Sequence, residues 1–159
     1  MRILAIDPGF DRMGLAVLEG DPSKPVLVWS ECIQPQKGAP SVRLHTIQKA
    51  VRDAIETYAP EKMSIESLFF SVNKKTALGV AEARGAILAE AGAHALPVKE
   101  YSPQQVKLAV TGYGGADKNA VIAMIPRLLA LPTKKRLDDE MDAIAVGICG
   151  LADRYPQSV

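Results

Sequence analysis

The sequence predicts one α/β domain whose five-stranded mixed sheet is flanked by helices. Three observations lead there. The first part of the chain alternates apolar and polar residues and is punctuated by turn formers. From Ser41 the apolar period lengthens to three or four residues. Two short apolar runs then recur between helical stretches, the pattern of βαβ crossovers. With 159 residues, 48% apolar and 23% charged, residues 1–159 read as a single domain of ordinary globular composition, which excludes disordered and fibrous classes.

The elements follow in order. Residues 2–6 form an apolar run that stops at Asp7-Pro8-Gly9. Residues 13–19 make a second strand and 26–34 a third, in which Val26, Val28 and Ser30 alternate against Leu27 and Trp29. Turn-rich links at 7–12 and 20–25 join the three as a β-meander. Leu44, Ile47, Val51, Ile55 and Tyr58 share one face of a helix over 41–58, which Ala59-Pro60 ends. Residues 62–66 are a fourth strand. Asn73 is a good N-cap for a long Ala-rich helix to about residue 93, and 97–101 is a fifth strand. Ser102-Pro103 opens a helix that Gly112-Tyr113-Gly114-Gly115 breaks. Asp117 opens another, running towards Leu131-Pro132, with Pro126 expected to kink or divide it. A last helix starts at Asp138 or Asp139 and reaches about Tyr155. A meander followed by crossovers sets the first and fourth strands side by side at the sheet centre.

No apolar run approaches the length of a membrane span, and the first strand leads directly into Asp7-Pro8-Gly9, so neither a spanning helix nor a cleavable signal is expected. Cys32 and Cys149 lack metal-ligand spacing and read as reduced thiols, which points to the cytoplasm. The net charge of +1 argues weakly against a nucleic-acid partner. If several carboxylates gather around cations, however, the remaining surface is basic.

Four acids carry the chemistry. Asp7 ends the first strand, where Asp before Pro-Gly is also ordinary turn chemistry. Glu66 ends the apolar run Met63-Ser64-Ile65, either as a solvated strand end or as part of a site. Asp139 and Asp142, three residues apart, share one helical face, although acids in a first turn also complement the helix dipole. If the first and fourth strands are neighbours, Asp7 and Glu66 meet at one sheet edge. A helix packed across that edge adds Asp139 and Asp142. Four carboxylates so gathered take up protons or bind cations, and an all-oxygen set suits Mg²⁺ or Mn²⁺. Two such ions about 4 Å apart activate water and stabilise a leaving oxygen, so the set predicts metal-dependent phosphoryl transfer.

Asp7-Pro8-Gly9, Ile65-Glu66, Leu68-Phe69-Phe70, Asn73, Ala83-Arg84-Gly85, Gln105-Val106-Lys107, Gly112-Tyr113-Gly114, Asp117-Lys118 and Asp139-x-x-Asp142-Ala143 stand in fixed order and spacing. In these motifs the chain resembles the RuvC family of Holliday junction resolvases from Met1 to about Cys149. The resemblance implies a ribonuclease H-like fold, a homodimer and Mg²⁺-dependent nicking of four-way junction DNA in recombination and repair. It also implies a branch-migration helicase complex as partner. It places the catalytic metal ligands on Asp7, Glu66, Asp139 and Asp142, with two Mg²⁺ per site and Mn²⁺ as a substitute. A junction-contacting aromatic falls on Phe69, and phosphate-contacting lysines fall on Lys107 and Lys118. Phe10 stands where the family usually has a small or polar residue. Asp11, Asp138 and Glu140 are expected to add negative charge near the site.

Adjacent phenylalanines are most often core. Phe69 and Phe70 instead occupy a loop beside the catalytic edge, where stacking on an unpaired base is worth roughly 1–3 kcal/mol. Lysines are usually solvated, but Lys107 and Lys118 flank the glycine-rich loop, and Lys74 and Lys75 are further candidates for backbone contacts. Lys134-Lys135-Arg136 reads as an offset to the acids after it. The small-sided helix from Asn73 allows close approach of a second copy, and an isologous dimer presents two sites to a two-fold junction. Two other readings stay open: a branched-DNA-binding protein that does not cut, and a related ribonuclease H-like nuclease acting on RNA. A third, the first phosphate loop of actin-like ATPases, needs a chain over twice this length.

Overall fold

A computed structural model describes residues 1–68 and 74–153. Strands β1 (Arg2–Asp7), β2 (Met13–Asp21), β3 (Lys24–Ile33), β4 (Lys62–Glu66) and β5 (Val98–Tyr101) form one sheet in the order β3-β2-β1-β4-β5. The short links make β1, β2 and β3 antiparallel neighbours. Helical crossovers make β4 parallel to β1 and β5 parallel to β4. The adjacency of the first and fourth strands is as expected, with Ile6 opposite Ile65.

Helices α1 (Pro40–Tyr58) and α2 (Lys74–Ala93) cover one face of the sheet; α3 (Pro103–Thr111), α4 (Lys118–Leu128) and α5 (Asp138–Ala152) cover the other. The central strands are therefore buried on both sides, which is why β1 reads as an unbroken apolar run. Leu4, Ile6, Leu15, Val17, Met63 and Ile65 meet Ile47 and Val51 of α1 and Ile87 of α2. Ile3, Ala5, Ala16 and Leu18 pack in the opposite layer with Ile144 and Val146 of α5. α5 lies directly on the sheet. A Cβ at Gly147 would stand 2.3 Å from Leu18 Cδ1, so a larger residue there would force the buried Leu18 side chain to move.

Local signals act as expected at several ends. Ser102 caps α3 through a capping box with Gln105, and Gly112 terminates it with a φ of 77°. Asp117 caps α4 by accepting from the Ala120 N–H. Pro126 does not divide α4; it falls in the last turn, and the helix ends at Leu128. The third strand departs further from expectation. Val17 pairs with Trp29 but Leu18 with Leu27, so Val28 is a bulge. One extra residue reverses the facing of the residues on either side of it, and Leu27 and Trp29 pack in opposite layers rather than one.

Candidate active site

Asp7 and Glu66 are the last residues of β1 and β4, one step beyond the paired Ile6 and Ile65. Parallel pairing brings them to the same carboxyl-end edge of the sheet, where open α/β sheets place their ligands. β1 stops there because the chain turns at Pro8-Gly9. A Cβ at Gly9 would stand 1.9 Å from the Arg12 carbonyl oxygen, so this tight turn requires glycine. The two carboxyl groups repel each other, and that repulsion favours protonation of Asp7. Burial pushes the Asp7 carboxyl well above its ordinary range, with the charges of Glu66, Asp142 and Asp139 adding to the shift. Glu66 is raised by burial and by Asp142.

α5 brings the other two acids. Its first turn holds Asp138, Asp139 and Glu140, and no side chain caps its amino end at Leu137. Packing fixes its position instead. A Cβ at Gly14 would lie 1.8 Å from the Asp139 carbonyl oxygen, so the start of β2 rests against this turn. In the same turn Glu140 is buried, with 4% exposure. Its Oε1 accepts from Ser30 Oγ at 2.6 Å and lies 2.8 Å from Lys134 Nζ and 3.4 Å from Arg136 Nε.

Glu140 therefore does not add charge to the site, contrary to expectation. It turns into the protein and is neutralised by Lys134 and Arg136, which makes those two its partners rather than a general offset. Sequence reading missed this role; its one signal was an acid a few positions after a basic run. Asp139 and Asp142 face the sheet edge. Burial raises Asp142, against the opposing pull of Lys118, whose Nζ donates to Asp142 Oδ2 at 2.9 Å.

A cleft of about 270 Å³ opens beside the acids, lined by Glu66, Asp142, Lys107 and Lys118, with Val106, Val121 and other residues of α3, α4 and α5. Lys107 and Lys118 thus stand together with two of the carboxylates. Lys74 and Lys75 are exposed at the start of α2 and do not line this cleft. Phe69, Phe70 and Asn73, the expected cap of α2, lie outside the described residues. Asp11 is directed away from the acids, to Arg43 at 2.6 Å. The Arg43 guanidinium sits 4.1 Å over the Phe10 ring, and that ring packs on Gly79 of α2. Phe10 and Asp11 thus pin the β1–β2 loop to the helical layer.

The family model for "Crossover junction endodeoxyribonuclease RuvC" matches residues 3–150. The chain belongs to the RuvC family. A crossover junction endodeoxyribonuclease RuvC of Moorella thermoacetica is 45% identical over 150 residues, which span 94% of this chain and 90% of that protein. Its counterpart in Brevibacillus brevis is also 45% identical, over 93% of this chain and 90% of the relative. The Thermus thermophilus RuvC solved in complex with Holliday junction substrate superposes with a TM-score of 0.88 at 30% identity, covering 94% of this chain and 92% of that one. The yeast mitochondrial resolvase Ydc2 shares the fold, with a TM-score of 0.71 at 14% identity and coverage of 94% and 76%. The ribonuclease H-like architecture read from the sequence is the one observed. Among the described residues no helix is long and apolar enough to cross a membrane.

The donor set in this RuvC-family chain is all oxygen, which suits a hard divalent cation. Asp139 Oδ2 is a buried oxygen that accepts no hydrogen bond. Among the described residues, no three metal-ligating side chains converge on one ion-sized point in this arrangement. Two acids are held by protein cations instead: Asp142 by Lys118, and Asp139 by Arg12, whose Nε lies 3.0 Å from Oδ2 without hydrogen-bond alignment. An ion at this site would take over these carboxylates from Arg12 and Lys118.

Proposed function

We propose that this chain is a Holliday junction resolvase that nicks four-way DNA junctions in pairs, with Asp7, Glu66, Asp139 and Asp142 as the residues that hold Mg²⁺. The observation that carries the reading is the gathering of all four acids at one sheet edge, beside a cleft that also presents Lys107 and Lys118. When bound, a pair of Mg²⁺ ions (or Mn²⁺ in their place) would activate water and stabilise the departing 3′-oxygen of a phosphodiester. The chain's own residues do the rest. Asp7, half-buried at the strand end with its carboxyl raised, would bind a cation as the carboxylate, so cation binding would release protons. Lys107 and Lys118 bind the DNA phosphates on either side of the scissile bond, with Lys74 and Lys75 as outer backbone contacts. Phe69 and Phe70 stack on bases at the crossover.

The active form in this reading is a homodimer. α2 supports it, because Leu78 is 65% exposed and Ala81, Gly85, Ala89 and Gly92 recur at helical spacing on its outer side. Two-fold pairing through that face sets two sites against a two-fold junction. The chain would act in the cytoplasm, alongside a branch-migration helicase complex. Light scattering with junction DNA checks the dimer, and a monomer there overturns it.

The test of function uses a labelled four-way junction and a linear duplex of the same arms, each with wild-type protein and Asp7→Asn, in Mg²⁺ or EDTA. Paired symmetric nicks on the junction alone are expected, dependent on Mg²⁺, and at least about 10²-fold slower in Asp7→Asn. Tight junction binding without nicks, in Mg²⁺ and in Mn²⁺, would leave a branched-DNA-binding protein. Nicks confined to RNA would favour the related RNA-acting nuclease.

A further inference from the structure

The loop from β1 to β2 carries a cation that stands outside the motifs of the sequence. Arg12 comes after the Asp7-Pro8-Gly9 turn, and its Nε is 3.0 Å from Asp139 Oδ2. Its side chain is 49% exposed, against 22% for that of Asp139. The guanidinium has no other ion-pair or hydrogen-bond partner among the described residues, and Asp139 Oδ2 gains charge from it but no aligned donor. Other arginines of the domain are better satisfied. Arg52 donates two bonds to buried Glu90, and Arg2 donates to Glu19 and to the Tyr58 carbonyl. Arg12 is therefore a loosely held charge on an oxygen that a cation would claim.

We infer that Arg12 is an exchangeable counter-ion: it neutralises Asp139 in the ion-free protein and, once a divalent cation takes that carboxylate, binds a phosphate of the DNA backbone. This inference rests on the reading of the four acids as a metal site. Two physical arguments support it. A guanidinium beside a carboxylate that has become shared with a divalent ion loses its attraction there, and the nearest new anion is the phosphate brought to the site. Arginine also presents a planar fork that matches phosphate oxygens, and half of its side chain already faces solvent. Metal and DNA would then bind cooperatively, because each releases what the other needs.

The exchange predicts opposite signs for two affinities of one variant. Arg12→Met keeps the length of the side chain and removes the charge. In the protein without DNA, Mn²⁺ measured by titration calorimetry should bind about two- to fivefold more tightly, because no resident cation has to leave. For an intact junction held in Ca²⁺, with integrity checked on a gel, affinity should fall about three- to tenfold. The salt dependence of binding should lose about one phosphate contact. Arg12→Lys should return both quantities towards wild type. A residue that merely supports the loop would weaken both affinities together, and that result overturns the inference. So does an Arg12→Met protein unchanged in both while wild type binds Mn²⁺ and nicks junctions. If Arg12→Met lacks a cooperative melt, Arg12→Gln is read by the same two measurements. Wild-type protein that takes up no Mn²⁺ overturns the metal-site reading itself, and this inference with it.

Discussion

Ser30 Oγ, in edge strand β3, donates a 2.6 Å hydrogen bond to Glu140 Oε1 in the first turn of α5, joining residues 110 positions apart. Lys134 Nζ closes the same cluster, donating to the Ser30 carbonyl at 3.0 Å while pairing with Glu140. The helix that carries Asp139 and Asp142 is thereby tied to the sheet by a residue between them. A helix start without its own side-chain cap has its place set by this cluster and by the close approach of Gly14.

Glu140→Ala leaves Lys134 and the nearly buried Arg136 without their shared counter-charge. Urea denaturation should show a loss of about 3 kcal/mol, as for other broken buried pairs. Glu140→Gln keeps an oxygen for Ser30 and should lose less. In both variants the rate of nicking should fall by more than the loss of folded protein explains, because the first turn of α5 is no longer anchored.

Gly14→Ala tests a second contact between that turn and the sheet. The added Cβ would stand 1.8 Å from the Asp139 carbonyl oxygen, a backbone atom that cannot rotate away. Either β2 or α5 must shift. The expected outcome is a loss of about 1–3 kcal/mol in stability together with loss of Mn²⁺ uptake in calorimetry. A variant that binds Mn²⁺ as wild type does would show that the shift forced at Gly14 does not reach the metal-holding acids.

Lys107→Ala should weaken junction and duplex binding alike and reduce the slope of log affinity against log salt by about one. Lys107 lines the cleft with Glu66, and among the described residues it forms no ion pair, so its charge is available to a phosphate. Lys118→Ala should show the same slope change and also free Asp142, to which Lys118 is now bonded. Filter binding across a salt series measures both.

A pH dependence is built in away from the site. Glu90, buried in α2, accepts from Arg52 and from Gln48 of α1, and the Arg52 bond holds its carboxyl below the ordinary range. A carboxyl lowered in the folded state contributes stability that is present above its unfolded pKa and lost as pH falls through the folded one. Asp7 and Glu66, both raised, slope the other way. Subtracting the profile of Glu90→Gln from that of wild type isolates Glu90 together with its pairings to Arg52 and to His94, whose Nδ1 lies 3.4 Å away. Below about pH 5, the stability advantage of wild type over Glu90→Gln should shrink on acidification.

Much of this architecture was legible because its causes are local. Ser102-Pro103 and Asp117 start helices by satisfying amide groups in their own first turns, Gly112 ends one by its left-handed backbone, and unbroken apolar runs mark strands buried on both faces. The four acids could be named for the same reason, since each sits at the end of a recognisable element. The features that the sequence could not determine arise between elements. The bulge at Val28 depends on how β3 meets β2, and it alone sends Leu27 and Trp29 to opposite layers. Neighbouring acids in one helical turn diverge in role, Glu140 inward to Ser30 and Asp139 outward to Arg12. Charge in a sequence has a sign but no partner. Only tertiary packing decides which carboxylate is neutralised inside the protein and which remains open to a cation.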